Sequence, residues 1–461
     1  MSQEKRKRRL TKILLSTGAL LLFCLPGQTV ASPAPQDVRS DKRARLLVIA
    51  PHPDDEALAG SALIQQTLRA GGSVRVAVMT NGDGFRRATS ERFRVKRPQA
   101  DDFYHLGLVR QQEALTAIGK LGLNEQDIRF LGYPDAGLKH LWNQNWSVHH
   151  PYRALNGHRS VPYQLAYRTG SPYSGESVVA DLQRLFREYN PTDVLYPDPH
   201  DVHGDHWGTS AFTQYALSSL GLVPKEWTYL IHYPKFPTPR SYHPYHKLCQ
   251  PKRLSEVGTR WHYIPLDHEQ IAKKRSAIMA HQTQVHVMKS LLTSFVRKND
   301  LIGSSEIQRI PSLSACEQPL SATGLRFAQQ IDPIDDQRGN RSADIRRLAV
   351  YQTAERLHLC LELARPFSKQ HQITIRLRLP DATEGTISQL SLKLDQNNVK
   401  TSTYPDLVSR IESHIEHELK DRFFRLSLPR DSFRNARIIM MQTEVRNGKS
   451  VDDTAWKRLY L

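Results

Sequence analysis

Cysteine is scarce. The 461 residues contain four, Cys24, Cys249, Cys316 and Cys360. That rules out a disulfide framework and leaves room for one bridge in an oxidising compartment. No internal repeat is present, so a repeat architecture is excluded. No basic helix interleaved with aromatics stands out, and nucleic acid is therefore not an expected partner. Ile13–Leu25 is apolar but too short for a comfortable membrane span, and it stops at Pro26-Gly27.

What is present begins with charge. Lys5, Arg6, Lys7, Arg8, Arg9 and Lys12 precede that apolar run, and Thr29-Val30-Ala31 offers small residues after it. Residues 1–31 read as an export signal peptide, with an uncleaved membrane anchor as the alternative; the protein is expected to be periplasmic or secreted. The formal net charge is +18, and removal of that segment, six basic residues against Glu4, leaves +13. Such a surplus favours association with anionic polysaccharide or a phosphate-bearing membrane surface, or serves solubility alone. Hydrophobic residues at 39% and charged residues at 24% describe a globular protein. The length predicts two domains.

After the polar stretch 32–43, Arg45–Ala50 is an apolar run of strand length. Helix and strand candidates then alternate: Glu56–Ala70 helical, Val74–Met79 strand, Val109–Leu121 helical, Ile128–Leu131 strand. Val178–Tyr189 (helical), Asp193–Tyr196 (strand), His206–Leu220 (helical) and Trp227–His232 (strand) follow, and Asp267–Lys298 reads as one long closing helix. This rhythm predicts an α/β domain over 44–300, a Rossmann-like, mostly parallel sheet with helices on both faces.

Phe85–Gly107, Leu138–Gly175 and Pro234–His262 interrupt the rhythm and have the length of binding loops or lids. The middle one gathers Trp142, Trp146, Tyr152, Tyr163, Tyr167 and Tyr173, which suit either sugar faces or packing of the loop on itself. A linker is expected over 301–319. Residues 320–461 carry short alternating strand candidates, with Leu407–Leu419 as a helical insertion. They predict an all-β sandwich-like domain, a candidate carbohydrate-binding module.

Two motifs carry chemistry. Pro51-His52-Pro53-Asp54-Asp55-Glu56 directly follows the first strand, and Asp198-Pro199-His200-Asp201-Val202-His203-Gly204-Asp205-His206 directly follows the fourth. In open parallel sheets ligands bind beyond the carboxyl ends of the strands, so both motifs fall at one crevice. His and Asp suit a catalytic zinc, which takes three protein ligands and keeps a position open for water. His52 and Asp55 can converge across a turn, and His206 can supply a third ligand. Asp54 is then placed to take a proton from water, and His203 can face the same side as His206. Asp205 is a further candidate as the N-cap of the next helix.

The first motif resembles the signature of the PIG-L/LmbE-like deacetylases, and His203-Gly204-Asp205-His206 is similar to that family's second motif. Arg110-Gln111-Gln112-Glu113, Leu131-Gly132-Tyr133-Pro134-Asp135 and Lys274–Gln284 resemble further family segments, so the likeness covers about residues 43–300. It implies a zinc-dependent N-acetylglucosaminyl deacetylase, with Zn2+, replaceable by Fe2+ or Co2+, on His52, Asp55 and His206. Asp54 is implied as general base, and His203, held as an imidazolium by a carboxylate such as Asp205, as stabiliser of the oxyanion. Arg110 and Asp135 are implied to contact substrate; a salt bridge and a turn cap are their alternatives.

The expected partner is a glycan containing an N-acetylated amino sugar, an oligo- or polysaccharide of the envelope. A zinc amidase for another acylated amine, such as a sugar–thiol conjugate, and a non-catalytic carbohydrate-binding protein are the competing readings. A two-metal phosphoesterase lacks a second ligand cluster in the sequence.

Overall fold

A computed structural model describes residues 42–255, 257–313, 329–331, 343–382, 388–395, 399–404, 414–448 and 450–461. The expected export segment and Cys316 lie outside these residues. In Arg45–Ala50 (β1), Leu46, Val48 and Ala50 point into one apolar layer and Leu47 and Ile49 into another. A strand period of two demands this when both faces are covered. Ser73–Thr80 (β2) divides in the same way, with Val74, Val76 and Val78 against Ala77 and Met79.

β2 lies beside β1 and carries Ile128–Tyr133 (β3) on its far edge. Asp193–Pro197 (β4) pairs with the other side of β1, followed by Lys225–Tyr229 (β5), and all five strands are parallel. Arg260–Pro265 (β6) and Asn299–Ser304 (β7) close the sheet, β7 antiparallel to both its neighbours. The chain therefore leaves β1 outward on one side and returns on the other. The crevice between the carboxyl ends of β1 and β4 is the switch point at which such sheets bind ligands.

Three expectations need correction here. The closing helix is two helices, His268–Ala280 and Gln282–Thr293, because His281 leaves helical ψ (64°) and its buried imidazole stands 3.2 Å from Glu56 Oε1. The sheet also reaches past residue 300 into the expected linker. Buried Lys274 ties the first of these helices to Asp300 on β7 and donates to Leu58 O at 2.7 Å. Much of Phe85–Gly107 is helical as well, in Arg86–Phe93 and the start of Ala100–Lys120.

The C-terminal region is a sandwich of two sheets. One has Gln329–Ile331 (β9), Ile345–Gln352 (β10), Arg356–Leu363 (β11), Glu416–Lys420 (β15) and Phe423–Pro429 (β16), in the order β15-β16-β11-β10-β9. The other has Gln308–Arg309 (β8), His371–Arg378 (β12), Gln389–Leu394 (β13), Val399–Tyr404 (β14), Ile438–Asn447 (β17), Ser450–Asp453 (β18) and Lys457–Tyr460 (β19). Leu359, Leu361, Ile373, Ile375, Leu392 and Leu426 meet in the core between them. Of the helix expected over Leu407–Leu419, residues 407–413 lie outside the described set. Glu416–Leu419 are instead in β15, where pairing with β16 satisfies their backbone.

The aromatic insertion does not form an exposed platform. Trp142, Tyr163 and Tyr173 are fully buried; Tyr163 donates to Asp83 Oδ2 at 2.7 Å. Trp142 packs edge-on against Trp456 of the C-terminal region, with ring centroids 5.2 Å apart, and Met440 joins the same apolar cluster. Arg378 lies over Trp142 and Trp146, 4.9 and 4.3 Å from the ring centroids. Arg458 makes a two-pronged contact with Glu226, at 2.6 and 2.7 Å. The C-terminal sandwich keeps its own core, but Met440 and Trp456 join the cluster around Trp142, so the two regions should unfold together. Trp456→Ala is expected to destabilise the whole chain by about 3–5 kcal/mol, seen calorimetrically as one transition at lower temperature. A separate early transition for the C-terminal region, with the rest unmoved, would refute this coupling.

Candidate active site

Beyond β1 the chain turns through Pro51-His52-Pro53-Asp54 into the short helix Asp55–Ala59. Asp54 has φ 135° and ψ −26°, a conformation L-residues rarely adopt, at a cost of roughly 1–3 kcal/mol. Its carbonyl accepts from Ala57 N and Leu58 N, and its N–H donates to Glu56 Oε2 at 3.1 Å. Arg110, from helix Ala100–Lys120, braces the turn. Its Nη1 donates to Gly82 O (2.8 Å) and its Nη2 to Pro53 O (2.6 Å), and Nη2 stands 3.3 Å from Asp54 Oδ2. Gly82 has φ 61°, and a Cβ there would lie 1.8 Å from Arg110 Nη1, so a side chain at this position would displace the guanidinium. Arg110 is 3% exposed and shapes the loop that carries Asp54.

Beyond β4, the loop 198–203 leads into helix Gly204–Ser219. The N-cap is His203, not Asp205: His203 Nδ1 accepts from Asp205 N at 3.3 Å. His206, in the first turn, is fully buried. Its Nε2 lies 3.3 Å from Asp55 Oδ2 and its Nδ1 3.1 Å from Asp201 Oδ2, yet neither nitrogen has a well-aligned hydrogen bond. Asp55 Oδ2 is also 3.3 Å from His52 Nδ1. On its other side, His52 Nε2 faces Asp135 Oδ1 (3.2 Å) and Asp205 Oδ2 (3.3 Å). The structure thus gathers His52, Asp54, Asp55, Asp135, His203, Asp205 and His206 at one crevice.

The expected pairing of Asp205 with His203 is not formed. The Asp205 carboxylate accepts from Ala136 N (2.7 Å) and Leu138 N (2.9 Å) besides contacting His52; it fixes the loop after β3. Asp135 caps Gly84 N at 2.8 Å with its other oxygen. Two neighbours of His206 escaped the sequence reading. Asp201 accepts from Ile231 N and His232 N, both at 3.0 Å, and the His232 ring lies 4.7 Å from that of His206. Asp201 stood inside the second motif, but its partners beyond β5 gave no local signal.

Electrostatics follow from burial of opposite charges. Burial pushes the Asp54 carboxyl up to about 7, with Arg110 opposing and Asp55 adding to the rise. Burial acts to raise Asp55, but His206 and His52 hold it well below the usual carboxylate range. His206 is pushed up to about 9: burial alone would lower it, and Asp201 and Asp55 override that. His203 is lowered by burial and by the neighbouring His52 and His206.

The donors fit a divalent transition metal. Four ligands about 2.0–2.1 Å from a tetrahedral zinc lie about 3.3 Å from one another, the spacing of Asp55 Oδ2 from His52 Nδ1 and from His206 Nε2. Among the described residues, the groups whose donor atoms all lie within 4.8 Å of one another are His52–His203–His206 and His52–Asp135–Asp205; the expected trio of His52, Asp55 and His206 is not one of them and is joined only through Asp55 Oδ2. An imidazole buried without an aligned hydrogen bond is what a ligand position looks like when its partner is an ion. Nitrogen and oxygen donors without thiolate suit zinc, iron or cobalt.

A search among curated proteins found no significant sequence match. Solved structures that align with part of this chain include the A40926 pseudoaglycone deacetylase, 19% identical over 57% of this chain and 97% of that one, TM-score 0.36. An N,N'-diacetylchitobiose deacetylase from Pyrococcus horikoshii is 19% identical over 54% and 75%, TM-score 0.31. The 4-carboxy-2-hydroxymuconate hydratase of Pseudomonas putida is 14% identical over 55% and 82%, TM-score 0.34. Residues 47–217 match the family model described as PIG-L, GlcNAc-PI de-N-acetylase. That span runs from β1 into helix Gly204–Ser219 and contains both motifs, so the chain carries a domain of the PIG-L family.

Proposed function

We propose that this protein is a zinc-dependent N-deacetylase that hydrolyses the acetamide of an N-acetylated amino sugar in an envelope glycan, releasing acetate and a free amine. The observation that carries the reading is the strained Asp54, held by Arg110 at the edge of a buried His–Asp cluster whose spacing suits a metal. His52, Asp55 and His206 would hold the ion. A divalent metal there supplies Lewis-acid polarisation of the amide carbonyl and a lowered pKa for water.

The chain's own groups do the rest. Asp54 takes the proton of the attacking water, and its raised pKa matches that task near neutral pH. Asp54 is then the source of the proton for the departing amine. His203 Nδ1 is occupied as an acceptor, so the proton of the neutral ring sits on Nε2. That N–H is the donor for the developing oxyanion, which makes His203 act as a neutral imidazole rather than the imidazolium first expected. Asp201 orients His206, and Asp205 and Asp135 orient His52. Asp54 in a binding protein would have no use that repays its backbone strain.

His206→Ala is expected to abolish metal retention. Asp201→Asn should weaken it by about 10–100-fold, read by elemental analysis and by competition with a chelator. Undiminished metal in His206→Ala would sink the ligand assignment. Asp54→Asn should keep both fold and metal while losing about 100- to 10,000-fold in acetate release from N-acetylglucosamine oligomers. Near-normal turnover would move the base elsewhere. The extracytoplasmic location predicts a mature protein beginning at Ser32; N-terminal sequencing that finds Met1 on exported protein would exclude cleavage there.

A further inference from the structure

The sheet that contains β12, β13, β14 and β17 has two unlike faces. Ile373, Ile375, Leu390, Leu392, Met441 and Val445 point into the sandwich core. The alternate residues are polar: Arg376 pairs with Ser391, which pairs with Ser402, and the rows beside it carry Lys393 and Glu444. This polar face is partly open to solvent, with Lys393, Ser402 and Arg446 exposed. It lines a cleft of about 740 Å³ whose other wall is helix Leu138–Asn143, with Lys139, His140 and Asn143, and whose inner end reaches Ala136, His203 and Asp205. Ligand sites commonly enclose about 300–1,000 Å³.

The wall is held in register with the catalytic residues. Arg378, one row along from Arg376, is anchored over Trp142 and Trp146, and Lys139 bridges the cleft to Asp453 on β18 at 2.8 Å. Its charge is uneven. Arg376 and Arg446 share a single carboxylate, Glu444, at 3.2 and 2.6 Å, and Lys393 is exposed beside them. Arg376 Nη1 also donates to Gln442 Oε1 at 2.8 Å, but Gln442 carries no charge, so a single carboxylate still stands between two guanidinium groups, each with five N–H donors. Tyr404 is the aromatic on this wall, so charge and hydrogen bonding, rather than stacking, set what it takes.

We infer that the C-terminal sheet is the outer wall of the substrate cleft and binds a carboxylate-bearing stretch of the glycan, next to the acetylated sugar that reaches His203. This rests on the deacetylase reading and deepens it. The substrate class is a polymer in which acidic sugars accompany the N-acetylated one. Arg376, Lys393 and Arg446 form the specificity surface.

The test uses the full chain and two probes: a hexasaccharide of alternating glucuronate and N-acetylglucosamine, and the uncharged N-acetylglucosamine hexamer. Calorimetric binding at low ionic strength should favour the acidic probe by about tenfold or more. Lys393→Glu and Arg446→Gln, both at exposed positions, should each remove most of that preference, and added salt should erode it. Equal affinities, or a preference that survives in both variants, would overturn the inference. Acetate release by the wild type is measured separately on both probes. Release without preference leaves the deacetylase standing and removes the acidic wall; preference without release does the reverse.

Discussion

Everything at the crevice depends on keeping buried charges matched. A lone carboxylate or imidazolium removed from water is costly, and a broken buried pair is worse than none. Asp55 therefore sits between two imidazoles, Asp201 backs His206, Arg110 stands against Asp54, and His281 against Glu56. The pairs come from segments far apart in sequence, so the cluster forms only when β1, β4 and the helices around them are assembled. The same pairing fixes side-chain positions before any ligand arrives, which is where a hydrolytic site gains most of its advantage.

Lys274 and Asp300 extend this logic away from the chemistry. They are completely buried beneath the first motif, and Lys274 also holds Leu58 O. The short helix that begins at Asp55 thus rests on a charged strut rather than on apolar packing alone. Strain at Asp54 persists because the surroundings over-determine it: backbone hydrogen bonds on one side, a guanidinium on the other, and the strut below.

The parallel sheet and the two motifs were legible because their signals are local. Apolar runs of strand length in Arg45–Ala50 and Asp193–Tyr196, each followed at once by His and Asp, say where the site lies. Roles that depend on distant partners were not legible. Nothing near Asp205 indicates that its carboxylate holds Ala136 and Leu138, and nothing near Asp201 reveals Ile231 and His232. Periodicity also could not tell the aromatic insertion's purpose. Trp142 looks the same in sequence whether it meets a sugar or Trp456. The helix expected to end at Lys298 failed for a related reason: its break at His281 exists to reach Glu56, some 225 residues earlier.

The pairing of β8 with β19 has a consequence for how the chain is made. Gln308–Arg309 lie a few residues after the central sheet is complete, yet their partners are Leu459 and Tyr460, some 150 residues later. Contacts so distant in sequence form slowly, since loop closure comes before any gain from them. Trp456, which seals the apolar surface around Trp142, emerges at the same late moment. During synthesis, the region around Trp142 must therefore carry an uncovered apolar face until the last strand arrives.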